Sequence, residues 1–468
     1  MTMTSSVRRA ATRFSNGALG SAILLSLCGQ RQSSNKEETK EKDSRLHSAA
    51  PATATEGSFP IPDRLNSLDA VLHNSRFFLT HTTSCDRLEK QEDFFPNFTR
   101  HGNSSYLRKY LTPEVYEQLR HKQTSSGITL EDIIQSGVAL PLGANPPRGL
   151  GVVVGDAECY RVFAPLLDPM IAEYHHTPRP DATAAHRLRR HSTNLDPEMV
   201  LSQRPDPTGE HILFTRMRVA RSIQGFCFAP CISRSDRRYL HRLVKDCVED
   251  WKDGGGKFVS IYEMTNEEHD DLIRRHILFH DPDEWAIYGG LGRDWPDARG
   301  IYCNDWERTP NVMIWCNSED HIRVISMRKG GDLHGVFTAL SRTVLAMEKA
   351  LQQRGHSFVY DDRLGYLNAC PTNLGTALRA SVFVKLVRLG KQPGFKNLAK
   401  RLRLEVHTGY GHTDKRYTGI FDVSNAERLG KSEVQLLNIM IQGVSRLIEL
   451  EKRLENGEKV NLDEIEVY

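Results

Sequence analysis

No acidic residue precedes Glu37, no Cys-x-x-Cys pair occurs, and no apolar run is long enough to cross a bilayer as a helix. The 9 cysteines are scattered, which excludes a disulfide-stapled framework and suits a reducing compartment. Cys227 and Cys231 are four apart, but no second pair follows at zinc-site spacing, so they read as packing residues and no metal site is assigned. Charge of one sign is also missing in bulk. Lys plus Arg number 62 against 59 acids, a net of +3, so net charge does not argue for nucleic acid or an acidic membrane as the main partner. Gly254-Gly255-Gly256-Lys257 lacks Walker spacing and reads as a turn, and no internal repeat is present.

What is present divides the 468 residues into segments. Residues 1–57 read as a targeting peptide and disordered linker, because Arg8, Arg9, Arg13 and Arg31 stand among Ser and Thr and a polar tract follows. Mitochondrial import is expected, with a basic tail on a cytoplasmic protein as the alternative. Residues 58–93 form an N-terminal extension in which Leu65, Leu68, Val71 and Leu72 have helical spacing. Residues 94–174 read as a small all-α domain, with a helix start at Thr112-Pro113-Glu114 and a turn at Ser125-Ser126-Gly127. Within it, residues 137–155 are a glycine- and proline-rich loop of the length used for lids. Residues 175–208 have little apolar periodicity and read as linker.

Residues 209–460 change pattern. Runs at 212–219, 312–316, 322–327, 381–387, 402–406 and 420–423 read as strands, and 237–251, 336–353 and 433–454 as helices. Asn317-Ser318-Glu319-Asp320-His321 is a hairpin-like connection. Strands and helices do not alternate strictly, so an α+β fold is expected: a small all-α N-terminal domain and a large C-terminal domain with an antiparallel sheet flanked by helices.

Cys370-Pro371-Thr372-Asn373-Leu374-Gly375-Thr376 stands out as a polar turn that Pro371 and Gly375 make rigid. Alone, it is a helix-to-strand turn with a half-buried cysteine. Read with Arg379 downstream, it resembles the signature of the phosphagen kinases, the ATP:guanidino phosphotransferases that include creatine and arginine kinases. The similarity runs over about residues 94–459, Trp295-Pro296-Asp297-Ala298-Arg299-Gly300 and Arg428-Leu429-Gly430 agree closely with creatine kinases, and the chain as a whole most resembles the mitochondrial type in pattern.

The resemblance implies transfer of the ATP γ-phosphoryl group to a small guanidino compound, with ATP/ADP as substrate and Mg²⁺ on the phosphates. Arg216, Arg218, Arg323 and Arg379 match phosphate-binding arginines, whose planar forks suit phosphate oxygens. Thr215, His276 and Asp422 match further nucleotide contacts. Glu319 matches the acid that holds the guanidinium, and Cys370 would add negative charge beside it. Leu150 and Thr372 complete the implied guanidino site, with 137–155 as its lid. Loop length favours a creatine-like substrate, with arginine next.

Three positions depart from the pattern. His407 stands where a fifth phosphate-contacting arginine is usual, Ser318 replaces an acid, and Phe383 replaces a histidine that packs on adenine. Two rival readings follow: a protein-arginine kinase, against which the helical domain argues, and a nucleotide-binding scaffold with impaired catalysis. The resemblance further implies a homo-oligomer and allows peripheral membrane association.

Overall fold

The computed structural model describes residues 95–96, 98, 104–138, 149–177, 191–251, 256–306, 308, 310–408 and 418–466. The expected leader and linker over 1–57, the extension 58–93, residues 139–148 of the loop, 178–190 of the linker, and Gly254, Gly255 and Arg416 lie outside them.

Short helices dominate before the sheet: Tyr106–Tyr110, Pro113–Leu119, Leu130–Val138, Cys159–Val162 and Ala164–Tyr174. The start at Thr112 is as the sequence suggests, since its side chain accepts from the Val115 amide and Pro113 occupies the first helical turn. Gly137 belongs to the third helix, so the loop expected from 137 is helical at its beginning. Its end, 149–155, is pinned and largely buried. The Leu107 amide donates to the Leu150 carbonyl at 2.9 Å, and the Val154 amide to the Ala369 carbonyl at 2.8 Å.

The sheet strands are β1 (Ile212–Arg221), β2 (Lys257–Ser260), β3 (Gly300–Cys303), β4 (Val312–Cys316), β5 (Ile322–Lys329), β8 (Leu378–Lys385), β9 (Leu404–Thr408) and β10 (Ile420–Asn425). A ribbon of β6 (Tyr360–Asp361) and β7 (Gly365–Tyr366) precedes β8. The eight lie in the order β2-β3-β4-β5-β1-β8-β10-β9, every pair antiparallel. Strands β2 and β3 correct the sequence reading, which took Lys257 for part of a turn and assigned no strand at 300–303. Both are four residues long, too short for an alternation signal.

One face of the sheet meets the helices Arg234–Glu249, Leu333–Gln352 and Glu433–Glu455. Met217, Val219, Val324, Val382 and Val423 point into this core, burying apolar area that stabilises at about 25 cal/mol per Å². A second core belongs to the helical region but takes in Leu364, Leu367, Ala369, Leu374 and Leu429 from beside the Cys370 turn. No helix among the described residues is long and apolar enough to cross a membrane.

Candidate active site

Directly paired residues on neighbouring strands share a sheet face, so the register assigns the side chains opposite the core. Arg218 pairs with Arg379 on one side and Ile325 on the other; Arg216 pairs with Ser381 and Met327. Arg323 pairs with Ala220 and Trp315. Four arginines thus occupy the face opposite that core, which toward β3–β5 also carries a buried cluster of Met313, Trp315, Ile325 and Met327 packed with Leu272 and Phe279. Further along the strands a second row runs Phe214, Phe383, Asp422, His407.

Arg218 is held well below the usual guanidinium range by burial first, then by the like charges of Arg323, Arg216, Arg379 and Arg428. No hydrogen bond or ion pair joins it to any of the described residues. The like charges crowded around Arg218 would be relieved by an anion, and phosphate oxygens match the guanidinium fork. Arg379 is steadied by Asp422, to which its Nη2 donates at 2.9 Å.

The turn between β4 and β5 carries the acids. Asn317 adopts φ +53° and its amide donates to the carbonyls of Arg237 and Ala298 at 3.0 and 2.8 Å. His321 bridges the Ile223 amide, which donates to Nδ1 at 3.0 Å, and the Cys227 carbonyl, 3.0 Å from Nε2. Burial lowers its pKa to about 4, so a neutral imidazole locks the turn. Between these pins, Arg323 donates through Nη2 to Glu319 and through Nε to Asp320 Oδ2 at 2.9 Å. Burial alone would raise the Glu319 carboxyl, but Arg323 and Arg218 outweigh it and the net direction is down. Asp320 goes the other way, raised by burial and by Glu319 beside it. Glu319 is therefore the ionised, partly exposed acid of the pair.

The Cys370 turn is a short 3₁₀ element, Pro371–Asn373. Its neighbour Asn368 accepts from Ser222 Oγ at 2.9 Å and donates to the Asn373 carbonyl at 2.8 Å. Gly375 adopts φ +70°, and a Cβ there would fall 2.2 Å from the Arg428 carbonyl oxygen, so only glycine fits. From the helical region, Tyr160 Oη donates to the Asn368 carbonyl at 2.6 Å, and His175 Nε2 lies 2.9 Å from the Pro371 carbonyl. Cys370 Sγ and Thr372 Oγ1 are 3.1 Å apart. Burial, with Glu319 adding to it, pushes the thiol up to about 11. Without substrate it is a thiol, so the negative charge expected there requires a cation to draw the proton off.

Other expected residues fall less directly. Thr215 is turned to the core face and donates its hydroxyl to the Gly330 carbonyl at 2.7 Å, away from the arginines. Strand alternation makes it unable to share the face of Arg216 and Arg218. The Leu150 side chain is buried in the helical core. His276, at φ +58° after the helix Asn266–Arg274, is lowered by burial and by Arg216, which puts it beside the arginine face. His407 lies 3.1 Å from Glu405 Oε1, a contact that raises its pKa. The Ser318 hydroxyl is buried with no hydrogen-bond partner among the described residues.

Arg428 was not among the expected site residues. It donates to the Thr372 carbonyl at 2.7 Å and to Asn373 Oδ1, and burial with Arg379 nearby lowers its pKa. The Arg-Leu-Gly agreement was its signal, but nothing in spacing tied it to the Cys370 turn. Among the described residues no group of three His, Cys, Asp or Glu side chains is arranged to hold a metal ion.

Comparison with known proteins agrees with this geometry. Residues 101–172 match the ATP:guanido phosphotransferase N-terminal domain and 240–454 its C-terminal catalytic domain. The chain is 40% identical over 375 residues to the M-type creatine kinase of Canis lupus familiaris, covering 80% of this chain and 94% of that one. It is 41% identical over 374 residues to the B-type creatine kinase of Gallus gallus, covering 79% and 94%. Among solved structures, a lombricine kinase superposes with a TM-score of 0.69 at 34% identity, covering 79% of this chain and 97% of that one. The duplicated taurocyamine kinase of Schistosoma mansoni gives 0.67 at 31%, covering 76% and 48%.

Proposed function

The chain belongs to the ATP:guanido phosphotransferase family, the phosphagen kinases, and from that premise we propose that it reversibly transfers the ATP γ-phosphoryl group to a small, creatine-like guanidino compound, with arginine as the next candidate acceptor. The observation that carries this is the meeting of an ionised Glu319 and the Cys370 thiol with a sheet face on which Arg216, Arg323 and Arg379 gather around a buried Arg218. In the forward direction a guanidino nitrogen attacks the γ-phosphorus, an N–P bond forms, the bridging P–O bond breaks and ADP leaves. The nitrogen must shed a proton. Glu319, aligned on two N–H groups, fixes the plane of the guanidinium and can accept that proton for release to solvent.

Arg216, Arg218, Arg323 and Arg379 would spread the charge on the transferred group, the dominant catalytic need of phosphoryl transfer. Arg323 has a double part. It forks onto Glu319 and Asp320, so nucleotide phosphate would compete for it and leave Glu319 to the acceptor. Mg²⁺ would arrive on the nucleotide phosphates, largely water-bound, supplying charge neutralisation there. The match over 101–172 favours a small acceptor over protein arginine, since a helical domain stands over the site.

The test is phosphoryl transfer from Mg-ATP to creatine, arginine, glycocyamine and taurocyamine, with Glu319→Gln as control. Turnover on one compound, lost in the control, is expected. Tight ADP binding without transfer to any acceptor would overturn the reading.

A further inference from the structure

The stretch expected to be a linker is tied down where it approaches the sheet, and the chemistry above makes no use of that. The His191 amide donates to the Asp362 carbonyl at 2.7 Å, and the Tyr360 hydroxyl donates to the His191 carbonyl at 2.8 Å, so the β6–β7 ribbon holds this residue by both of its backbone groups. Three residues on, the Asn194 amide donates to Glu433 Oε2 at 2.8 Å. The Leu195 carbonyl then accepts from the Ser341 hydroxyl, and the Leu201 amide donates to Asn438 Oδ1 at 2.8 Å.

The His191 ring is buried against the ribbon and the Cys370 turn. A Cβ on Gly365 would fall 2.5 Å from the ring Cδ2 and 2.6 Å from Gly375 Cα, so imidazole and turn close on the same point. The two glycines are also bridged: the Gly375 amide donates to the Leu364 carbonyl at 2.7 Å, and the Tyr366 amide to the Gly375 carbonyl at 2.8 Å. Neither His191 ring nitrogen has a hydrogen-bond partner among the described residues. Burial, with Arg221 nearby, lowers its pKa to about 4, which leaves the ring neutral. The residue therefore acts through the shape and place of its ring.

Arg221 carries a second connection. Its Nη1 donates to the carbonyl of Thr376, the last residue of the turn, at 2.9 Å, and its guanidinium lies 3.6 Å from Glu433, the acid that accepts from Asn194. His191 and Asn194 thus brace one turn by two routes, through Gly365 and through Glu433 with Arg221. That turn carries Cys370 and Thr372, whose Sγ and Oγ1 are 3.1 Å apart.

We propose that His191 is a positioning residue for phosphoryl transfer, the wedge by which segment 191–194 sets Cys370 and Thr372 in place against Glu319. This rests on the reading of Cys370 and Glu319 as the acceptor site. Close-packed interiors pass displacements on, so loss of the wedge lets the turn relax away from the acid. The arginine face is spared, because Arg216, Arg218, Arg323 and Arg379 stand on β1, β5 and β8, which are held by one another.

The experiment is His191→Ala in the full chain, read by steady-state kinetics and by iodoacetamide alkylation mapped cysteine by cysteine. The expected result is kcat lowered about tenfold with KM for Mg-ATP unchanged, and Cys370 alkylated faster while the half-buried Cys227 keeps its rate. A lower melting temperature with kcat and the Cys370 rate as in the parent would overturn the assignment. So would equal acceleration at Cys370 and Cys227, the mark of general loosening. Should His191→Ala not fold, Tyr360→Phe removes only the exposed hydroxyl that donates to His191. It is expected to move kcat and the Cys370 rate in the same directions by about threefold, and no change in either would overturn the idea. A parent that phosphorylates no guanidino compound removes the functional reading, and the alkylation rates then decide by themselves whether His191 places the turn.

Discussion

Replacing Gly375 by alanine loads the Cys370 turn at the point where it is most closely packed. The added Cβ would fall 2.2 Å from the Arg428 carbonyl oxygen and 2.7 Å from Leu429 Cα, both backbone atoms. Relief requires the strands of chain to part by about 1 Å. The residue also sits at φ +70°, which costs an L-residue about 1–2 kcal/mol. Separation strains the Thr376 amide bond to the Arg428 carbonyl, 2.9 Å, and the Gly375 amide bond to the Leu364 carbonyl, 2.7 Å, each contributing about 1 kcal/mol. The sum is about 3–4 kcal/mol of unfolding free energy, read from the urea midpoint. Activity should fall further, because Arg428 and Cys370 move with the turn and a misplacement near 1 Å can cost about 100-fold in kcat. Gly355→Ala is the internal control: φ +77° but no atom within 4 Å of its Cβ, so only the backbone penalty of about 1–2 kcal/mol applies. Equal losses at the two positions, or an unchanged kcat in Gly375→Ala, would refute the reasoning.

Three further outcomes follow from the same geometry. His407 is raised by its contact with Glu405, so it is cationic below its raised pKa and loses its charge as pH climbs through it; KM for ATP should rise over that interval, and His407→Arg should abolish the rise, whereas a profile unchanged by the substitution would contradict the role. Arg428→Met removes two hydrogen bonds to the Cys370 turn and one cation from the arginine face, and calorimetry should show ADP binding weakened by about tenfold or more. Glu433→Gln removes the carboxylate 3.6 Å from the fully buried Arg221, whose guanidinium also lies 3.5 Å from the Tyr366 ring centroid and donates to the Ala220 and Thr376 carbonyls; breaking such a pair costs about 3–5 kcal/mol, and an unchanged melting temperature would show that the ring and the two carbonyls suffice.

Where the sequence was legible, one local signal decided the matter. The β4–β5 hairpin could be read from two β-rich runs and a polar five-residue link, and the helix Glu433–Glu455 from its apolar period, while its Ser432 cap emerges only in the structure. Alternation on β1 put Arg216 and Arg218 together, and the same alternation, carried one residue back, turns Thr215 to the core. What stayed hidden depends on partners distant in sequence. Nothing local says that Arg323 closes on Glu319 and Asp320, that Arg428 supports the Cys370 turn from 55 residues away, or that β2 and β3 exist, since these short strands are held by cross-strand pairing.

The apolar core of the helical region does not end where that stretch of chain ends. Leu364, Leu367, Ala369, Leu374 and Leu429, all of later sequence, are buried in it, and Val154, Tyr160 and His175 bond to the backbone around Cys370. Cut from the rest, the helices would present that interior to water and lose its directional ties. The architectural boundary near residue 175 is therefore not a boundary of cooperativity: heat or denaturant should take helices and sheet through a single transition, and the amide of Val154 should exchange its hydrogen as slowly as those at the centre of β1.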